Sequence, residues 1–162
     1  MKTLLSFPLL LLSLVSFPSW SETMDDLVER DGLYYKKFSN VPFFGEIKTK
    51  EANGWIMGGT KNGDWTEYHS NGQLWSTGDY AMGNRTGPWV FYYINGRLSN
   101  KGNYKNGKRV GFWIFYHDNG EILTQGEYKN DKKEGRWIYY DANGVVHKDW
   151  SGLFKDGVKI SD

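Results

Sequence analysis

An interval of 24 residues recurs through most of this chain. Gly63, Gly87, Gly111 and Gly135 keep it, as do Trp65, Trp89, Trp113 and Trp137. So do Tyr68, Tyr92, Tyr116 and Tyr140, and the pairs Asn71-Gly72, Asn95-Gly96, Asn119-Gly120 and Asn143-Gly144. Beyond each pair stand Leu74, Leu98, Ile122 and Val146, and Gly78, Gly102 and Gly126 lead into Tyr80, Tyr104 and Tyr128. Self-similarity at one spacing means tandem units, each burying its apolar face against a neighbour.

One unit, "GFWIFYHDNGEILTQGEYKNDKKE", reads as two strands and two turns. Aromatic and branched residues predict a strand over 112–116. Asn119-Gly120 then predicts a tight hairpin turn, because both residues tolerate positive φ. A second strand is expected over 122–128, and "KNDKKEG" turns the chain again. Nothing downstream of the first residues sustains a 3.6-residue period, so almost no helix is expected. With 20 Gly, 8 Trp, 11 Tyr, 9 Phe and only 4 Pro, the composition also suits short strands joined by turns. Joined in series, the units predict an all-β fold, an elongated single-layer antiparallel meander. Nine or ten strands would span ~45 Å.

Alternation assigns the faces. Trp113 and Phe115 point one way, Ile114 and Tyr116 the other, while Ile122, Thr124, Gly126 and Tyr128 share a face. Glycine inside a strand leaves room for a ring from the adjacent strand. The tryptophan column is therefore expected to pack over Gly78, Gly102 and Gly126.

The pattern is irregular at its ends, as terminal repeats are. The last unit carries an insertion of two residues between Gly144 and Gly152, after which "GLFKDGVK" resumes the phrase. Residues 58–162 form the repeats and residues 22–57 a divergent cap. Residues 1–21 have the layout of a secretory signal peptide: Lys2, an apolar run from Leu4 to Val15, Pro18, then small residues. Cleavage is expected between Ser21 and Glu22. The run is too short for a spanning helix, which needs about 20 apolar residues. An exported chain, periplasmic or extracellular in a bacterium, is the consequence. Removing Lys2 takes Lys and Arg from 20 to 19, level with the 19 Asp and Glu. A neutral chain offers no bulk attraction for nucleic acid. With no Cys, disulfides do not staple the fold.

The phrases "GPWVFYYINGRL" with "GNYKNGKRV", and "GFWIFYHDNGEIL" with "GEYKNDKKE", resemble the variant family of MORN repeats over residues 58–159. The chain is also similar to exported proteins labelled YwqK-family antitoxin, which begin with a segment like "ERDGLYYKKFSNVPF". The resemblance implies an elongated antiparallel sheet with no established enzymatic activity, and an antitoxin association.

His69 and His117 share one turn position that Tyr93 and Asp141 occupy in the other units, which makes it an exposed, variable flank. No nucleophile or metal-ligand spacing accompanies them, so neither catalysis nor a cofactor is expected. Arg85, Lys105, Lys108, Arg109, Lys129, Lys132, Lys133, Lys155 and Lys159 recur at the second turn and would line one long edge. That edge is either a solvated rim or a contact for anionic lipid or cell-envelope polymer. The aromatic columns are either core or a stacking platform for sugar rings or a partner's side chains. The reading is a non-catalytic exported module that binds another protein. Toxin neutralisation outside the cytoplasm and binding of an anionic polymer or lipid are the alternatives.

Overall fold

The computed structural model describes residues 23–162. The signal-peptide reading and its Ser21–Glu22 junction lie outside the described residues. After a 3-10 turn at Met24–Asp26 come β1 (Leu27–Arg30), β2 (Leu33–Lys36), β3 (Gly45–Lys48), β4 (Ala52–Met57) and β5 (Thr60–Tyr68). Then follow β6 (Leu74–Ala81), β7 (Asn84–Tyr92), β8 (Leu98–Lys105), β9 (Lys108–Tyr116) and β10 (Ile122–Lys129). The chain closes with β11 (Lys132–Tyr139), β12 (Gly152–Lys155) and β13 (Val158–Ser161). Strands β3 to β13 make one 11-stranded antiparallel sheet in strict chain order, while β1 and β2 form a separate hairpin. The sheet exceeds the expected nine or ten strands because the divergent segment supplies β3 and β4.

The tight geometry expected at the Asn119-Gly120 turn of the unit is found at its other turn instead. The tight turn is the second one: Asn106 and Gly107 both take positive φ, 51° and 76°, as do Asn130 and Asp131 at 51° and 68°. These angles match the primed turn whose twist suits a two-residue hairpin. Strand β9 consequently starts at Lys108, four residues earlier than the sequence suggested. At Asn119-Gly120 only the glycine has positive φ, 97°. The connection is longer, with His117 N–H donating to Glu121 O and Gly120 N–H to His117 O. Asn119 serves through its side chain: Oδ1 accepts from Glu121 N–H at 2.9 Å.

Within each tryptophan strand the glycine two residues before the ring is a bulge. Gly111 sits at φ 65° inside β9, where the register against β8 shifts between Lys101 and Asn103. A bulge bends its strand and re-aims the next side chain. Here it precedes an indole that lies directly on the glycine of the previous strand. A Cβ on Gly102 would come 2.2 Å from Trp113 Cδ2, and one on Gly78 2.4 Å from Trp89 Cδ2. Gly126 bears Trp137 at 2.5 Å in the same way. The tryptophan-over-glycine packing is thus present, and it begins one period earlier than expected, with Gly54 beneath Trp65. Three indole N–H groups donate back to that neighbouring strand: Trp89 to Asp79 O (3.1 Å), Trp113 to Asn103 O (3.2 Å) and Trp137 to Glu127 O (3.0 Å).

The four tryptophans are 0–1 % exposed although the sheet has a single layer. Tyrosines stand edge-on between them, with Tyr80–Trp89 and Tyr104–Trp113 centroids 5.2 Å apart and Tyr128–Trp137 4.9 Å. Phe91 and Phe115 stack beside Trp89 and Trp113 at 5.7 and 5.8 Å. Each such pair contributes about 0.5–1.5 kcal/mol beyond area burial. At the N-terminal end Leu27, Phe43, Ile47, Ala52 and Ile56 cover Trp65. At the other end the insertion is taken up before β12. Its His147 ring stacks on Trp150 at 4.0 Å, and Gly152 re-enters opposite Trp137.

Gly102→Val forces a branched side chain into the Trp113 ring. It is expected to lower stability by about 3 kcal/mol, measured by urea unfolding.

Candidate binding surfaces

A second interval of 24 residues emerges on the tryptophan face: Lys61, Arg85, Arg109 and Lys133. All four lie over rings. The Lys61 ammonium is 4.4 Å from the Trp65 centroid, and the Arg85 guanidinium 4.4 Å from that of Trp89. Arg109 stands 4.1 Å over Tyr128, and Lys133 4.8 Å over both Trp137 and Tyr139. Cations in this position are attracted by the ring quadrupole. Polar contacts hold the heads in place: Arg109 donates to the Tyr128 hydroxyl at 3.0 Å and pairs with Asp131 at 2.8 Å. Partial burial works to raise Asp131, but the Arg109 hydrogen bonds and charge prevail and hold its carboxyl below the ordinary value.

The anticipated basic edge therefore divides. Arg85, Arg109 and Lys133 fold onto the rings and are half-buried, whereas Lys105, Lys108, Lys129, Lys132 and Lys155 are exposed at the turns. Lys159 turns inward, donating to Asp149 O at 2.8 Å and pairing with Asp162 at 2.6 Å. The reason is alternation: after each tight turn the first residue faces away from the rings and the second toward them. Lys105 pairs across the strands with Lys108, and Lys129 with Lys132, so like charges stand directly opposite beside the turns.

Along the other edge the Asn-Gly connections are bonded to one another. The Asn71 amide donates to Ile94 O at 2.9 Å, and the Asn119 amide to Ala142 O at 2.8 Å. The His69 ring nitrogen bonds Tyr92 O at 2.9 Å, and that of His117 bonds Tyr140 O at 3.1 Å. A carbonyl only accepts, so Nε2 carries the proton in both rings. Tyr93 makes the same link through its hydroxyl to Tyr116 O. The histidine position is a half-buried strut between units, not the exposed flank expected. Among the described residues no group of three metal-ligating side chains exists.

Two hollows open on opposite faces. On the face away from the tryptophans, a groove of about 250 Å³ runs between Pro88, Val90, Phe112 and Ile114, with Lys101 and Asn103 beside it. Phe112 is 52 % exposed. On the tryptophan face, a hollow of about 260 Å³ lies in the first unit between Trp65, Glu67, Lys61 and Trp75. Glu67 bonds Lys61 at 2.9 Å and the Ser76 hydroxyl at 2.8 Å, with Arg85 3.9 Å away. Burial alone would raise this carboxyl; the Lys61 hydrogen bond and charge, Ser76 and Arg85 outweigh it and hold it below the ordinary value. Neither Lys61 nor Gly54 was singled out in the sequence, although each stands one period before a residue that was.

A single sheet of tandem hairpins, with its rings and four of its cations turned onto itself, defines the class: a tandem-hairpin repeat protein. The profile described as MORN repeat variant matches residues 61–81, 85–106, 109–130 and 133–151, and the chain belongs to that family. Each match starts on a tryptophan strand and runs into the glycine strand or, in the last unit, the insertion that follows. Repeats of this type serve as non-catalytic modules that bind proteins or membrane lipids. The match is to the repeat family; the narrower likeness to antitoxin-labelled proteins has no counterpart in it. Comparison with curated proteins finds no match to this chain.

Because the folded carboxyl of Glu67 lies below its ordinary 4.5, its stabilisation is complete above that pH and is lost as pH falls through the lowered value. Glu67→Gln is expected to remove this component, giving a shallower loss of thermal stability between neutral pH and the acid limb than the unchanged protein shows.

Proposed function

We propose that the protein is an exported, non-catalytic repeat module that binds a protein partner on the sheet face opposite its tryptophans. The observation that carries this reading is the division of labour between the faces. On one, indoles, tyrosines and cations satisfy each other. On the other, Phe112 is half exposed beside Pro88, Val90 and Ile114, with Lys101 at the margin. A half-exposed aromatic in an apolar strip with a polar margin is the composition of an interface centre. Export rests on the layout of residues 1–21. A toxin acting outside the cytoplasm is one partner this face would suit. Deletion of the gene would then be lethal only where a neighbouring gene is intact.

A photo-crosslinking residue at position 112 is expected to yield one discrete protein adduct in the cell envelope. Phe112→Asp should reduce capture at least tenfold with the thermal midpoint unchanged. Adducts equally strong from position 55, on the same face but remote from the strip, would reject the strip as the contact.

The exposed lysine pairs at the tight turns favour a second reading, contact with an anionic lipid surface. Binding to phosphatidylglycerol vesicles should then be measurable at low salt and lost near 0.5 M, where screening confines the field to ~4–5 Å. Absence of binding at low salt would reject it.

A further inference from the structure

The first repeat breaks its own pattern in three places, and all three line one hollow. Where Phe91, Phe115 and Tyr139 stand in the later units, this one has Glu67. Where Ser99 and Leu123 stand, it has Trp75, 42 % exposed. The third departure is the pose of Trp65. Gly54 lies under its six-membered ring, at Cε3, whereas the other glycines lie under the shared edge and Cγ. The indole sits differently on its glycine, and its buried N–H has no acceptor, unlike those of Trp89, Trp113 and Trp137. Replacing a ring with a half-buried carboxylate costs desolvation and forfeits a ring stack. Departures that weaken the fold and converge on one cavity are the mark of a site rather than of packing.

The chemistry of the walls selects the ligand. Lys61 and Glu67 neutralise each other at 2.9 Å, and Arg85 faces the same carboxylate at 3.9 Å. Each of these charges already has a partner, as does Glu51 on the rim through Lys50 at 3.4 Å, so a charged ligand would have to displace one side of the Lys61–Glu67 pair. The pair nevertheless presents donors at the Lys61 ammonium and acceptors at the Glu67 carboxylate. Trp75 adds a flat apolar surface, tilted against His69 at 6.4 Å, and Met24, Ala52, Tyr68 and the exposed Glu51 complete the wall. A flat apolar wall beside a compensated donor-acceptor pair suits a molecule with one C–H face and a rim of hydroxyls. We propose that this hollow binds a neutral pyranose ring, stacked on Trp75 with its hydroxyls on Lys61 and Glu67. This site lies on the tryptophan face and stands apart from the Phe112 reading.

The test is a titration of the purified, ¹⁵N-labelled protein followed at the indole N–H signals of Trp65 and Trp75. The probes are methyl glucoside, N-acetylglucosamine and its β-1,4-linked trimer, with choline chloride and sodium acetate as charged counterparts. At least one sugar is expected to give a saturable shift that neither charged probe produces. A stronger response to the trimer assigns a glycan chain as the source; equal responses assign free sugar. Glu67→Phe installs the residue type of the later units, so the sheet is kept, and Trp75→Ala removes an exposed ring. Each should weaken binding at least tenfold. Absence of a saturable shift with every sugar, a preference for choline or acetate, or undiminished binding by Glu67→Phe would overturn the proposal.

Discussion

Everything in this sheet follows from the need to bury an indole where no second layer exists. Most domains cover a sheet with another sheet or with helices. Here each tryptophan is covered from within its own face. The strand beneath has a bare glycine, and tyrosines stand edge-on at both sides of Trp89 and Trp113 and at one side of Trp65 and Trp137. A lysine or arginine lies over Trp65, Trp89 and Trp137, with Arg109 over Tyr128 beside Trp113. The lack of a Cβ at Gly102 lets the Trp113 ring reach the backbone, and the bulge at Gly111 stands where that ring must be aimed. The cations complete the cover with long stems and charged heads that stay partly wet, the usual way such side chains shield apolar surface. In units two to four, the glycines, the bulges and the arginine and lysine column are thus one device rather than three.

The backbone and turns obey the same nearest-neighbour logic. Along one edge each tight turn donates to the unit before it: Gly107 N–H to Arg85 O, Asp131 N–H to Arg109 O and Gly157 N–H to Lys133 O. Along the other, asparagine, histidine and tyrosine side chains reach the carbonyls of the unit after. Stability in such an array is a sum of unit and interface contributions. The first unit gives up one of the aromatic contributions, since Glu67 replaces a ring. That loss is tolerated because the β1–β2 hairpin and residues near it pack Leu27 and Phe43 onto the same cluster.

The period made the fold legible: tandem hairpins, a meander in chain order, and tryptophan over glycine could all be read from spacing. The turns could not, because Asn-Gly has two uses. It supplies paired positive φ at Asn106-Gly107 and a side-chain bracket at Asn119-Gly120, and the local residues are the same in both. The basic residues that share a turn separate by face. Arg85, Arg109 and Lys133 stand an even number of places before their tryptophans, which already puts them on the ring side. The constellation of Glu67, Ser76 and Arg85 was beyond any periodic reading. It joins three adjacent strands and depends on their register: Glu67 is a position where the first unit departs from the others, while Arg85 keeps the period of the cation column.

The two-residue insertion in the last unit has a consequence for how such arrays change length. The added residues are absorbed in the segment around His147 and Trp150, and Gly152 still arrives opposite Trp137, as Gly126 arrives opposite Trp113. The glycine–tryptophan pair therefore acts as a phase lock: it resets the alignment once per unit, whatever length of chain precedes it. A slip in one hairpin is not inherited by the next, and the long edge carrying the Asn-Gly connections can gain or lose residues while the rest of the sheet keeps time.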